Sequence, residues 1–183
     1  MFNTVSSLSA WLLAAALAFA LAFASPTESG VMGEIAPFES HTLADQRMSV
    51  PGDLPKNRTL ALVTFKRAHH EQAESWIRGL NLRGDPSIAW LRMPVINDPG
   101  TAQGRDEVKA KLLGYYPGAD ERARFVPAFV NRDSFTRAAG LTDTDRAYAV
   151  VLNRQGDVLA RVEGAYSANK ARALRETLLA EGH

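Results

Sequence analysis

The sequence predicts an α/β fold: a mixed central β-sheet flanked by helices, preceded by an extended region. Three observations carry this. The stretch RTLALVTF, with Leu60, Ala61, Leu62, Val63 and Phe65, is a near-continuous apolar run, as expected of a strand covered on both faces. From Arg58 on, the segments read as strand, helix, strand, helix, helix, strand, strand and helix. Strands separated by a helix imply a right-handed parallel crossover, whereas strands joined by a four-residue loop, Asn153 to Gly156, imply an antiparallel hairpin.

The elements follow in order. Ala10 to Ala24, AWLLAAALAFALAFA, has no charged or strongly polar side chain. At 15 residues it is short of the roughly 20 that a helix needs to span a bilayer. Ala22-Phe23-Ala24, ahead of Ser25-Pro26, fits a small-x-small cleavage site, so residues 1–24 are expected to be a secretory signal peptide. No Lys or Arg precedes the apolar run, which leaves an uncleaved N-terminal anchor as the alternative. Membrane contact is expected only in that case. The expected location is exported, and periplasmic in a bacterium. Residues 25–33 read as a flexible tail, and 34–183 as one domain.

GEIAPFESHTLADQRMSV reads as paired short strands with a turn near Asp45-Gln46, and Pro51-Gly52 and Pro55 break the chain after it. In HHEQAESWIRGL, Ala73, Trp76, Ile77 and Leu80 form one helical stripe. SIAWLRMPVI gives a second strand, and Asn97-Asp98-Pro99-Gly100 a turn. GRDEVKAKLLGYY is helical, with Val108 and Leu112 on one face. ADERARFVPAFVNRDSFTRAAGL reads as helix in two pieces broken near Pro127, with Gly140 as a stop. RAYAVVL and DVLARVE form the hairpin, and Ser167 caps a last helix that buries Ala171, Leu174 and Leu178.

The bulk numbers bound the function. The 183 residues suffice for one ordinary domain, at 46% hydrophobic and 22% charged. With 21 basic and 20 acidic residues the net charge is +1, so no nucleic-acid partner is expected. There is no phosphate-cradling Gly-rich loop, nucleophile elbow or His-Glu-x-x-His helix, and no cofactor is expected. Trp76 and Trp90 read as core residues, and Tyr115-Tyr116 as helix-end packing.

The element order, together with the hairpin YAVVLNRQGDVLARVEG, resembles the thioredoxin-like superfamily in its peroxiredoxin-like elaboration. The stretch FVNRDSFTRAAGLTDTDRAYAVVLNRQGDVLARVEGAYS is similar to two cysteine-poor groups within it. These are the exported bacterial proteins of the YtfJ type and the thioredoxin-like assembly factor of the mitochondrial ATP synthase. The resemblance implies that the loop after the first central strand, at the start of the next helix, is the place of chemistry. In redox-active relatives a cysteine stands there, because a helix N-terminus lowers a thiol pKa.

Here that loop reads Lys66, Arg67, Ala68, His69, His70, and the chain has no cysteine. Thiol–disulfide exchange and peroxide reduction through a sulfenic acid are both excluded. The proline that relatives carry ahead of the third central strand is replaced by Asp145-Arg146, which puts the clamp on substrate backbone in question. Three readings of the loop stand. His69 and His70 bind a metal, with help from His41 or Glu71. Alternatively Lys66 and Arg67, joined by Arg146, bind an anion or an acidic segment. Otherwise the loop is a solvated helix start. The expected function is an exported, redox-inactive thioredoxin-like protein that acts as a protein-binding or assembly module, with another protein or peptide as its partner. The alternatives are a cysteine-independent enzyme using His69 or His70 as general base, and a metal carrier.

Overall fold

A computed structural model describes residues 30–180; the expected signal peptide, and the tail as far as residue 29, lie outside the described residues. The extended region is a hairpin of β1 (Phe38–His41) and β2 (Arg47–Val50), turned through Asp45 at a positive φ of 65°. Next come β3 (Thr59–Thr64), a short 3-10 turn (Arg67–His69), α1 (His70–Gly79) and β4 (Ala89–Asn97). After these lie α2 (Ala102–Tyr115), α3 (Ala119–Ala123), β5 (Ala128–Val130) and α4 (Arg132–Ala138). The chain continues through β6 (Tyr148–Leu152), β7 (Val158–Glu163) and α5 (Ala168–Leu179).

The sheet runs β5-β4-β3-β6-β7. β4 lies parallel to β3 and β5 to β4, while β6 is antiparallel to both β3 and β7. The mixed sheet expected from the element order is present. β3 is apolar throughout because both its faces are covered. Leu60 and Leu62 pack with Trp76, Ile77 and Leu174 beneath α1 and α5. Ala61 and Val63 pack on the other face with Val50, Leu91, Met93 and Phe135, under the β1–β2 hairpin and α4.

Two expectations are corrected. The region around Pro127 is not helix broken in two: after the five-residue α3 the chain enters the sheet. Val126 donates to the carbonyl of Arg92 at 2.8 Å, and Ala128 pairs with Val95. Pro127 has no N–H to donate, which a strand at the sheet edge tolerates. Tertiary pairing there outweighs the helical composition. The tail expected to be flexible as far as Gly33 is tied down at its end. Met32 donates to the Val158 carbonyl and Val158 to the Gly33 carbonyl, each at 2.8 Å. A Cβ on Gly33 would lie 2.5 Å from the backbone of Ala139, so only glycine fits that approach.

One charge lies inside the sheet. Arg92 of β4 stands beside Leu62 on the α1 face, with 4% of its surface exposed. Its guanidinium bonds to Glu74 of α1, and its Nε donates to Glu121 of α3 at 3.1 Å. Arg83 spans the same two carboxylates from outside, at 3.1 and 2.8 Å. Burial alone raises the Glu74 pKa, but the hydrogen bond from Arg83 and the charge of Arg92 outweigh it and hold the carboxyl below its usual value.

Arg92→Ala leaves Glu74 and Glu121 to Arg83 alone and empties a buried site in the sheet, and a loss of about 2–5 kcal/mol is expected in urea unfolding. Arg83→Ala, at the solvent side, is expected to cost under about 1 kcal/mol. Because the folded-state pKa of Glu74 is depressed, its contribution is complete above the unfolded carboxyl value of about 4.3 and is lost as pH falls through the folded value. The stability gap between the wild type and Glu74→Gln is therefore expected to narrow on acidification below pH about 4.

Candidate functional site

β3 delivers the chain at Phe65 to the loop that opens α1. The adjacent histidines of this loop have opposite surroundings. His69 is buried, with 2% of its surface exposed. Its Nδ1 accepts from the Phe65 amide at 3.3 Å, and its Nε2 lies 3.1 Å from the carbonyl of Asp145. An acceptor at Nδ1 and a donor at Nε2 define one neutral tautomer. Burial lowers the pKa of His69 and outweighs the opposing pull of the Asp145 carbonyl. His69 is thus a strut between the β3–α1 loop and the segment that enters β6. It has no free nitrogen for a metal or for proton transfer.

A second strut stands one turn on. The side-chain oxygen of Gln72 accepts from the amide of Ala147 at 2.8 Å. The backbone groups just ahead of β6, where relatives are expected to clamp substrate backbone, are thus occupied from within. Asp145 also accepts from the Nζ of Lys66 at 2.6 Å, and that bond lowers its carboxyl pKa. Arg146, expected at this loop, turns instead to Glu163 of β7 and does not line the cavity described next. Asp145 occupies the place foreseen for it.

His70 is exposed, and its Nδ1 lies 3.1 Å from the hydroxyl of Tyr116. Arg67 donates to the hydroxyl of Tyr115 at 3.1 Å, and its guanidinium carbon sits 4.3 Å from the centre of that ring. These contacts join the start of α1 to the end of α2 across the mouth of a cavity of about 370 Å³. Leu62, Phe65, Pro94, Ile96 and Leu112 supply apolar walls, Arg92 closes one side, and Lys66, Arg67, His70 and Tyr115 form the exposed lip. Burial raises the pKa of Tyr116 despite the nearby Arg92, so its hydroxyl stays protonated.

Of the five residues singled out from sequence, Lys66, Arg67 and His70 meet at this cavity, and His69, outside its lining, accepts from the amide of Phe65, which lines it. The metal reading finds no ligand set. His41 lies in β1, Glu71 turns to Arg78 at 3.6 Å, and among the described residues no group of three or more His, Cys, Asp or Glu stands close enough to hold an ion. Sequence reasoning missed Gln72, Glu74 and Arg92. Only Arg92 left a signal: an arginine inside the apolar strand SIAWLRMPVI requires a buried counter-charge.

Replacing His69 removes two hydrogen bonds and a buried ring. His69→Ala is expected to destabilise the protein by about 2–4 kcal/mol, and His70→Ala by no more than about 0.5 kcal/mol. A histidine with a depressed folded-state pKa binds its proton more readily when unfolded. Its neutral form therefore stabilises fully above the unfolded value of about 6.5, and that stability is lost as pH falls below it. Urea titrations between pH about 5 and 7 are expected to show this slope in the wild type and not in His69→Ala.

No family model matches the chain, and no curated protein sequence matches it. Solved structures do. A putative electron transfer protein from Aquifex aeolicus VF5 matches with a TM-score of 0.56 at 14% identity, over 84% of this chain and 97% of that one. The exposed lipoprotein thioredoxin of Streptococcus pneumoniae strain TIGR4 gives a TM-score of 0.52 at 11% identity, over 77% and 99%. BsSco, a member of the Sco family of cytochrome c oxidase assembly proteins described as having a disulfide switch, gives 0.51 at 14% identity, over 79% and 91%. At such identities the shared property is the fold. The described residues of this cysteine-free chain have the thioredoxin-like fold.

Proposed function

We propose that this chain is an exported, redox-inactive thioredoxin-like protein that binds another protein, as an adaptor or assembly module, at the mouth of α1. The observation that carries the reading is the cavity of about 370 Å³ at that mouth, walled by apolar side chains and rimmed by Lys66, Arg67, His70 and Tyr115. A thiol enzyme of this fold reacts there; this chain offers shape and hydrogen-bond donors instead. Its volume lies within the usual range for binding sites, roughly 300–1,000 Å³. The existence of an assembly protein among similar folds is consistent with such a role.

A second reading has one observation in its favour. His70, paired with Tyr116 at 3.1 Å beside the cavity, has the placement of a general base, so a cysteine-independent enzyme would use His70 and not His69.

Site-specific photo-crosslinking in the native compartment tests the binding role. A photoreactive residue at Tyr115 is expected to capture a discrete protein, and Arg67→Glu or Leu112→Arg is expected to abolish that capture. The same residue at Arg154, in the β6–β7 turn at the other end of the sheet, is expected to capture nothing. Equal capture from both positions, or none from Tyr115, overturns the proposal. Export is tested separately: residues 1–24 fused to alkaline phosphatase are expected to give an enzyme active only outside the cytoplasm. Activity equal to a leaderless control rejects export.

A further inference from the structure

We propose that the partner segment held at this cavity is acidic and apolar together: one bulky apolar side chain enters, and a carboxylate beside it meets Arg67. This rests on the protein-binding reading above and specifies the chemistry of the bound segment. The cavity lining includes the cations of Lys66, Arg67 and Arg92 and the ring of His70, and contains no Asp or Glu. Carboxylates just outside the lining pair Arg92 and Lys66, so among the described residues the unpaired cation at the cavity is Arg67.

The three cations differ in what they have left to give. Arg92 is bonded to Glu74 and Glu121. Lys66 is bonded to Asp145 at 2.6 Å. Arg67 meets only the Tyr115 ring, with one donor on its hydroxyl at 3.1 Å, and among the described residues it is in no ion pair. Stacking at 4.3 Å steadies the guanidinium plane and leaves the rest of its N–H fork for an acceptor. A planar fork of that kind fits a carboxylate through two parallel bonds.

Lys66, Arg67 and His70 lie at the exposed lip, whereas Leu62, Phe65 and the paired Arg92 lie buried below it. That layering suits an extended segment crossing the mouth with one side chain inserted. At about 370 Å³ the cavity accommodates a bulky side chain and its adjoining backbone, not a folded element.

Fluorescence anisotropy with the purified full chain provides the test. The probe is the fluorescein-labelled, C-terminally amidated peptide Gly-Ser-Glu-Phe-Glu-Ser-Gly. It is expected to bind, and versions with Gln for both Glu, or Ala for Phe, are expected to bind about fivefold more weakly or worse. Arg67→Ala is expected to reduce the acidic probe to the level of the Gln version, and Arg67→Lys to restore part of the difference. Raising salt to about 1 M is expected to shrink the gap between the Glu and Gln probes. No binding of the acidic probe up to about 1 mM overturns the proposal, as does equal binding of the Glu and Gln probes. Displacement by free 4-phenylbutyrate at the affinity of the whole peptide also overturns it, because the site then takes a small acid. Equal binding of the Glu and Gln probes alongside Tyr115-dependent crosslinking refutes the carboxylate and leaves the protein-binding role standing. Loss of both results refutes both.

Discussion

A single guanidinium inside the central sheet sets the geometry of everything around the cavity. Arg92 projects from β4 among apolar neighbours, and a buried charge there is tolerable only if paired and hydrogen-bonded. Its two carboxylates come from different elements, Glu74 on α1 and Glu121 on α3. Neutralising Arg92 therefore fixes two helices against one strand. The consequence reaches further through Tyr116, whose ring lies 5.5 Å from the Arg92 guanidinium and 4.5 Å from the Phe125 ring. Arg122 also donates to the Tyr116 carbonyl at 2.6 Å. Helix α2 has no fully buried residue of its own, so these contacts at its C-terminal end hold it over the sheet. Tyr115, the next residue back, thereby reaches Arg67 across the cavity mouth.

The loop that opens α1 divides its residues between structure and surface. His69 and Gln72 turn inward and occupy the backbone groups ahead of β6. Arg67 and His70 turn outward to Tyr115 and Tyr116. Here the inward side is bonded within the protein, and the cavity lies on the α2 side. Without cysteine the junction has no thiol to exchange, and the backbone groups ahead of β6 are bonded to His69 and Gln72.

The neighbouring helix and hairpin elements were legible because their signals are local. The apolar run of β3, the stripe of α1, the Asn153–Gly156 turn and the Ser167 cap all appear in the structure at their expected places. β5 was not legible, because Ala128 to Val130 becomes a strand only by pairing with β4. At the site, Lys66, Arg67 and His70 were readable from their position after β3. Arg146 was misplaced because one residue of register decides between Lys66 and Glu163 as its neighbour.

By itself the sequence determined most of the element order, the mixed character of the sheet and the absence of any thiol to do chemistry. Those depend on periodicity, turn residues and residue types, which are properties of short stretches. Only the tertiary structure decided that adjacent histidines have opposite roles, that Arg92 is anchored from two helices, and that Arg67 faces an apolar cavity beside two tyrosines. Each of those facts joins residues far apart in the chain, and burial and charge pairing at such distances are set by packing, not by local pattern.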